Sequence, residues 1–97
     1  MSTFTVGDSV AVPCTIQEGP FPDEKLVTVD TEEGAISGFV KEANLQAGEN
    51  NDEQWYLKGI VVSELDGSII VKLLGSFFTT ALGMATVARN QLRHLAA

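Results

Sequence analysis

Trp55-Tyr56-Leu57-Lys58-Gly59-Ile60-Val61-Val62-Ser63-Glu64-Leu65, then Asp66-Gly67, then Ser68-Ile69-Ile70-Val71-Lys72-Leu73-Leu74, is the stretch that decides the fold. Both runs are rich in β-branched and aromatic residues, which fit a pleated, half-buried surface. Asp-Gly between them is the turn chemistry that matches the twist of two antiparallel strands. The stretch predicts a hairpin.

Upstream, Val6-Gly7-Asp8-Ser9-Val10-Ala11-Val12 and Gly34-Ala35-Ile36-Ser37-Gly38-Phe39-Val40 each pass from a glycine-marked start into apolar-polar alternation. That is the pattern of short strands entering a small barrel. Val10, Val12, Cys14 and Ile16 alternate with Ala11, Pro13 and Thr15, so one face of this first strand points inward. Pro13 has no N–H for a ladder and predicts an edge or a bulge. Gln17-Glu18-Gly19-Pro20-Phe21-Pro22-Asp23-Glu24 then breaks the period with two prolines and a glycine, as an extended loop does. Leu26 to Val29 reads as a second strand, closed by Asp30 to Gly34 and paired with Ala35 to Val40 as a hairpin. Gly38 inside that third strand marks a bulge or a close backbone approach. Residues 44–53 are polar and aperiodic, which predicts an exposed loop between the two halves.

Downstream, two readings compete. Phe78, Leu82, Ala85, Leu92 and Leu95 fit a helical stripe, which would give an α+β fold with a C-terminal helix over about 78–95. Ala85-Thr86-Val87-Ala88 also reads as a last strand, followed by a short helical turn from Arg89 to Leu95. Gly83 favours the strand, because a glycine inside a helix costs about 1 kcal/mol, and Thr79, Thr80, Thr86 and Val87 around it are weak helix formers. The expected fold is mainly β: a small barrel of five or six short antiparallel strands with a short C-terminal helical turn.

Ninety-seven residues with 44% hydrophobic content suit a single domain over 1–97 with one core. No apolar run approaches the roughly 18 residues of a membrane span. Met1-Ser2-Thr3-Phe4-Thr5 lacks the basic start and apolar core of a secretory leader, so the expected location is cytoplasmic, with no membrane partner. Cys14 is the single cysteine, and Pro13, Thr15 and Ile16 beside it offer no positive charge to a thiolate; a packed structural thiol is expected. Charge is unevenly spread. Residues 1–66 hold all thirteen acidic residues against three lysines, a net of −10, whereas Lys72, Arg89 and Arg93 are the charged residues of 67–97. A field of that sign repels phosphate backbones, which disfavours nucleic acid. The residual route to nucleic acid is a basic 72–97 segment in which Lys72, Arg89, Arg93 and His94 share a face.

Catalytic and metal chemistry find little support. His94 has no acidic residue near it in sequence, since none follows Asp66, and a catalytic base depends on a positioned partner. Glu49, Asp52 and Glu53 supply hard oxygens but not the alternating spacing and turn glycine of a calcium loop. One cysteine and one histidine do not make a zinc site, and the nine glycines form no phosphate loop, so no metal and no cofactor are expected. Glu64 and Asp66 are the nearest candidates for a functional carboxylate if the chain is a small-ligand-binding domain or part of an enzyme, with its pocket between the barrel and the 77–97 segment.

The aromatic residues are the better binding candidates. Trp55 and Tyr56 are adjacent in a strand, so their side chains point to opposite faces and at most one joins the core. Phe77 and Phe78 pose the same question, and Phe21 lies between two prolines in a loop. Pro20, Phe21, Pro22, one of Trp55 or Tyr56, and Phe77 therefore form the candidate contact surface, since exposed aromatic clusters mark interaction sites. The competing structural role is to plug the open ends of a small barrel.

Short strands, a long loop after the first, a tight Asp-Gly hairpin and a last strand running into one turn together resemble the SH3-like barrel class. The start Phe4-Thr5-Val6-Gly7-Asp8-Ser9-Val10 is similar to the strand entry of two families, the C-terminal domains of nitrile hydratase beta chains and the variable chains of ferredoxin–thioredoxin reductase. Gly19-Pro20-Phe21-Pro22 followed by Gly34 to Val40 resembles the nitrogen-fixation accessory proteins of the NifZ family. The resemblance implies a non-catalytic accessory or assembly module that docks on another protein or on itself.

Overall fold

In a computed structural model of the chain, residues 4–48, 54–77 and 83–94 are described. Their strands are β1 (Ser9–Glu18), β2 (Glu24–Thr31), β3 (Gly34–Lys41), β4 (Leu45–Ala47), β5 (Trp55–Leu65), β6 (Ser68–Leu73), β7 (Ser76–Phe77), β8 (Met84–Ala88) and β9 (Arg93–His94). Six of them have five or more residues, and the others are stubs of two or three. Single 3-10 turns at Glu42–Asn44 and Arg89–Gln91 are the helical elements among the described residues.

All pairings are antiparallel, and the sheet runs β7-β3-β2-β1-β5-β6-β8, with β4 beside β5 and β9 beside β1. Only Leu74 and Gly75 separate β6 from β7, yet β7 pairs with β3 at the far end of that path, so the sheet curls back on itself into a small barrel. A second seam closes it. The Glu32 N–H donates to the Thr86 carbonyl at 2.9 Å, and the Ser68 hydroxyl donates to the Glu32 carboxylate at 2.6 Å.

The core follows from period-two patterning. Val10, Val12, Val27, Val29, Val40, Leu57, Val61, Ile69, Val71 and Val87 are each at most 1% exposed, with Phe4, Cys14, Leu73, Ala85 and Leu92 completing one cluster. Each such aliphatic side chain contributes about 1.5–3 kcal/mol by leaving water. Valine dominates because its branched Cβ is already restricted in extended backbone. Phe4 enters this core by way of a turn in which the Thr5 N–H donates to the Asp8 carboxylate at 2.8 Å.

The hairpin read from Asp66-Gly67 is present with Gly67 at φ +84°, where L side chains are strained. The strand reading of the C-terminal segment holds over 84–88, and no helix runs through 83–94. Gly83 sits at φ +68°, and a Cβ there would lie 3.2 Å from the Leu73 carbonyl oxygen, so a side chain at this position meets both strain and backbone.

Three expectations need revision. Pro13 is not on an edge strand, because β1 is central; its flank is open nonetheless, between β9 at Val10–Ala11 and β2 from Thr15 onward. Gly38 sits in unbroken register between Val27 and Phe77, and the bulge lies instead in β5 between Val61 and Ser63. Within the loop read over 44–53, Leu45–Ala47 pairs with Trp55–Leu57 as β4, while 49–53 lie outside the described residues.

Candidate functional site

The inward column of β1 passes from Val10, Val12 and Cys14 to Ile16 and then Glu18, and that of β2 passes from Val29 and Val27 to Lys25. On β5 it ends at Trp55. At this end the core runs out into a groove of about 430 Å³. Ile16, Leu45 and Trp55, all half-buried against the core, form its apolar part, while Gln17, Glu18, Lys25 and Glu42 form its polar part. It is the mouth of the barrel.

Lys25 organises the mouth. Register puts it opposite Glu18, and its Nζ donates to both Glu18 carboxylate oxygens at 3.1 Å, with Glu42 Oε1 at 3.6 Å. Its side chain is only 16% exposed. The Glu18 hydrogen bond, with the negative charges of Glu18 and Glu42, holds the ammonium pKa above the ordinary lysine value, against the opposing pull of desolvation. Lys25 is therefore a fixed cation with an aliphatic stem among the apolar groups.

The loop Gly19-Pro20-Phe21-Pro22-Asp23 leaves from Glu18 and returns one residue before Lys25. Gly19 is required for steric reasons, since a Cβ there would stand 2.6 Å from the Glu24 carbonyl oxygen. The Glu24 N–H donates to the Phe21 carbonyl at 3.1 Å, and the Glu42 N–H to the Asp23 carbonyl at 2.9 Å, so the returning half of the loop is tied down. Pro20, Phe21 and Pro22 are exposed, Phe21 at 62%. Proline on each side restricts the backbone that carries the ring.

Trp55, not Tyr56, is the strand aromatic at the end of the barrel that carries the proline-flanked loop. Pro20, Phe21, Pro22 and Trp55 are at the same end of the barrel, where Trp55 plugs the mouth rather than standing free. Tyr56 faces the outer side of the sheet and is buried, with the Arg93 guanidinium carbon 4.9 Å from its ring centroid. Phe77 pairs through its backbone with Gly38, and its side chain, like all of Phe78, lies outside what the structure describes. Missed by sequence reading were Leu45 and Glu42, because a three-residue strand and a single 3-10 turn show no period, and the role of Lys25, because Glu18 and Lys25 become neighbours only through the hairpin register.

The remaining candidates are more ordinary. Cys14 is buried, and desolvation pushes its thiol up to about 11, so it is protonated at neutral pH. Glu64 is ion-paired with Arg89, and Asp66 is exposed in the hairpin turn. His94 pairs by backbone with Val10, and its side chain lies outside what the structure describes. A second cavity of about 190 Å³ flanks Pro13, where Gln54 Nε2 donates to the Cys14 carbonyl at 2.9 Å. Among the described residues no three His, Cys, Asp or Glu side chains are grouped to hold a metal, and no helix is long and apolar enough to cross a membrane. Comparison with protein-family models, with curated proteins and with solved structures found no match.

Proposed function

We propose that this chain is a non-catalytic interaction module that docks on another protein through its barrel mouth and the loop beside it. The observation that carries the reading is Phe21, a large aromatic side chain 62% exposed on a loop whose returning half is tied down, next to a groove with an apolar part. An aromatic anchor on a restrained loop gives up little conformational entropy on binding. The groove has room for one or two side chains, and Glu18 and Glu42 outnumber Lys25 in its lining. A partner segment with a basic residue next to an apolar one complements that arrangement, with salt-sensitive association.

Selection of a displayed peptide library on the wild-type protein and on Phe21→Ser tests this. Enriched peptides are expected to place Lys or Arg beside an apolar residue, and Phe21→Ser is expected to bind them at least ~10-fold more weakly with its fold unchanged. Equal affinity of the two proteins for the selected peptides, or a wild-type chain that sediments as a monomer and selects nothing at any salt, refutes the reading. The groove volume also suits a small ligand, a second reading in which a metabolite screen raises the melting temperature and Trp55→Ala abolishes the rise.

A further inference from the structure

The chain has six basic residues. Three have carboxylate partners: Lys25 with Glu18 and Glu42, Lys41 with Asp23, and Arg89 with Glu64. Lys58, Lys72 and Arg93 make no ion pair among the described residues, and the ladder places all three on one face. Arg93 stands opposite Ala11, and Ala11 opposite Lys58. In the next row Ser9, Ile60, Lys72 and Met84 stand opposite one another across β1, β5, β6 and β8. The residues that alternate with them, among them Val10, Leu57, Val61, Val71 and Ala85, fill the core, so both rows lie on the outer side of the barrel.

Neither row contains a carboxylate. Lys58, Lys72 and Arg93 are exposed, and Ile60 and Met84 beside Lys72 remain 39% and 38% exposed. A chain of net charge −7 thus gathers on one sheet face, around aliphatic side chains left in water, the three cations that make no ion pair among the described residues. Arg93 also lies over the buried Tyr56 ring, whereas Lys58 and Lys72 are exposed cations of the kind that contribute little to folding.

We infer that this outer face is a second docking surface, separate from the barrel mouth, for an acidic protein segment whose Asp and Glu residues flank aliphatic ones. Charge complementarity selects the sign of the partner, and Ile60 and Met84 supply the dry centre that such an interface needs. The same aliphatic centre argues against a phosphate backbone, which offers no apolar groups there and meets a protein of like net charge.

The test titrates a fluorescent peptide alternating Asp or Glu with Leu, and its Asn/Gln counterpart, against the full chain at about 50 and about 300 mM salt. Expected are tighter binding of the acidic peptide by ~10-fold at low salt, a smaller difference at high salt, and loss of the difference in Lys58→Gln/Lys72→Gln. Ile60→Ser is expected to weaken binding of both peptides, and Phe21→Ser to leave it unchanged, which separates this face from the mouth. Circular dichroism and urea midpoints check that each variant is folded. Equal binding of the two wild-type peptide complexes, full affinity in the double lysine variant, or tighter binding of duplex DNA or phosphatidylserine vesicles overturns the inference.

Discussion

Cys14 gives the sharpest stability prediction, because burial sets both its sign and its size. The folded thiol titrates near 11 instead of at its ordinary value of 9.0, since the thiolate would be desolvated in the core. Between those two pH values the unfolded chain has lost a proton that the folded chain keeps, so stability falls as pH rises through the window and levels off above it. Two pH units at 1.36 kcal/mol each give a loss of about 2.7 kcal/mol. Urea unfolding, followed by Trp55 fluorescence from pH 8 to pH 11 on wild type and Cys14→Ala, isolates the effect as the difference between the two proteins. Lys25, whose pKa is also raised, contributes stability below the ordinary lysine value that is lost as pH passes its folded pKa, but it does so in both proteins and cancels. At pH 8 the sulfur is expected to favour wild type by about 1 kcal/mol through packing, and by pH 11 that advantage is expected to have reversed. A difference between the two proteins that does not change with pH refutes the reasoning, as does native Cys14 reacting with a thiol reagent at the rate of an exposed cysteine.

Leu57→Ala removes a fully buried side chain near the start of β5 and is expected to cost about 2–5 kcal/mol in urea unfolding, whereas a loss under about 1 kcal/mol would place Leu57 outside the core. Gly83→Ala combines a left-handed backbone with a Cβ 3.2 Å from the Leu73 carbonyl oxygen, and a destabilisation of about 1–2 kcal/mol is expected; Gly67→Asn, at φ +84° with nothing near its Cβ, is expected to cost less. The order of those two glycine variants in one denaturant series is the check.

Most of the architecture is legible where one residue or one period forces the backbone. Asp66-Gly67 locates the central hairpin, and the columns Val10-Val12-Cys14 and Val27-Val29 name core residues without any knowledge of strand pairing. Gly83 decides between strand and helix because its conformation is one that a helix interior does not use. What escapes is non-local. Pro13 lies in a central strand because β1 changes partner beside it, from β9 to β2, and no local pattern reports a change of neighbour. The barrel mouth is half legible. Phe21 between two prolines announces itself, but the Lys25 ion pairs and the contribution of Leu45 depend on register across separate hairpins. That Trp55 and Tyr56 lie on opposite faces is legible from strand geometry, but which of them belongs at the mouth depends on how β5 pairs with β1 and β4.

The partner strands of β1 also bear on how the barrel is completed. The β1–β2–β3 and β5–β6 ladders are closed by turns of a few residues, whereas β1 meets β5 by joining Ser9 to Ile60 and Cys14 to Trp55. The first set needs only short loop closures; the second must bring together segments tens of residues apart in the chain. Two local meanders therefore have to associate, and β1–β5 is the longest of the ladders that join them. The slow step of folding is expected to lie in that internal docking, with β1 as the strand both meanders must share.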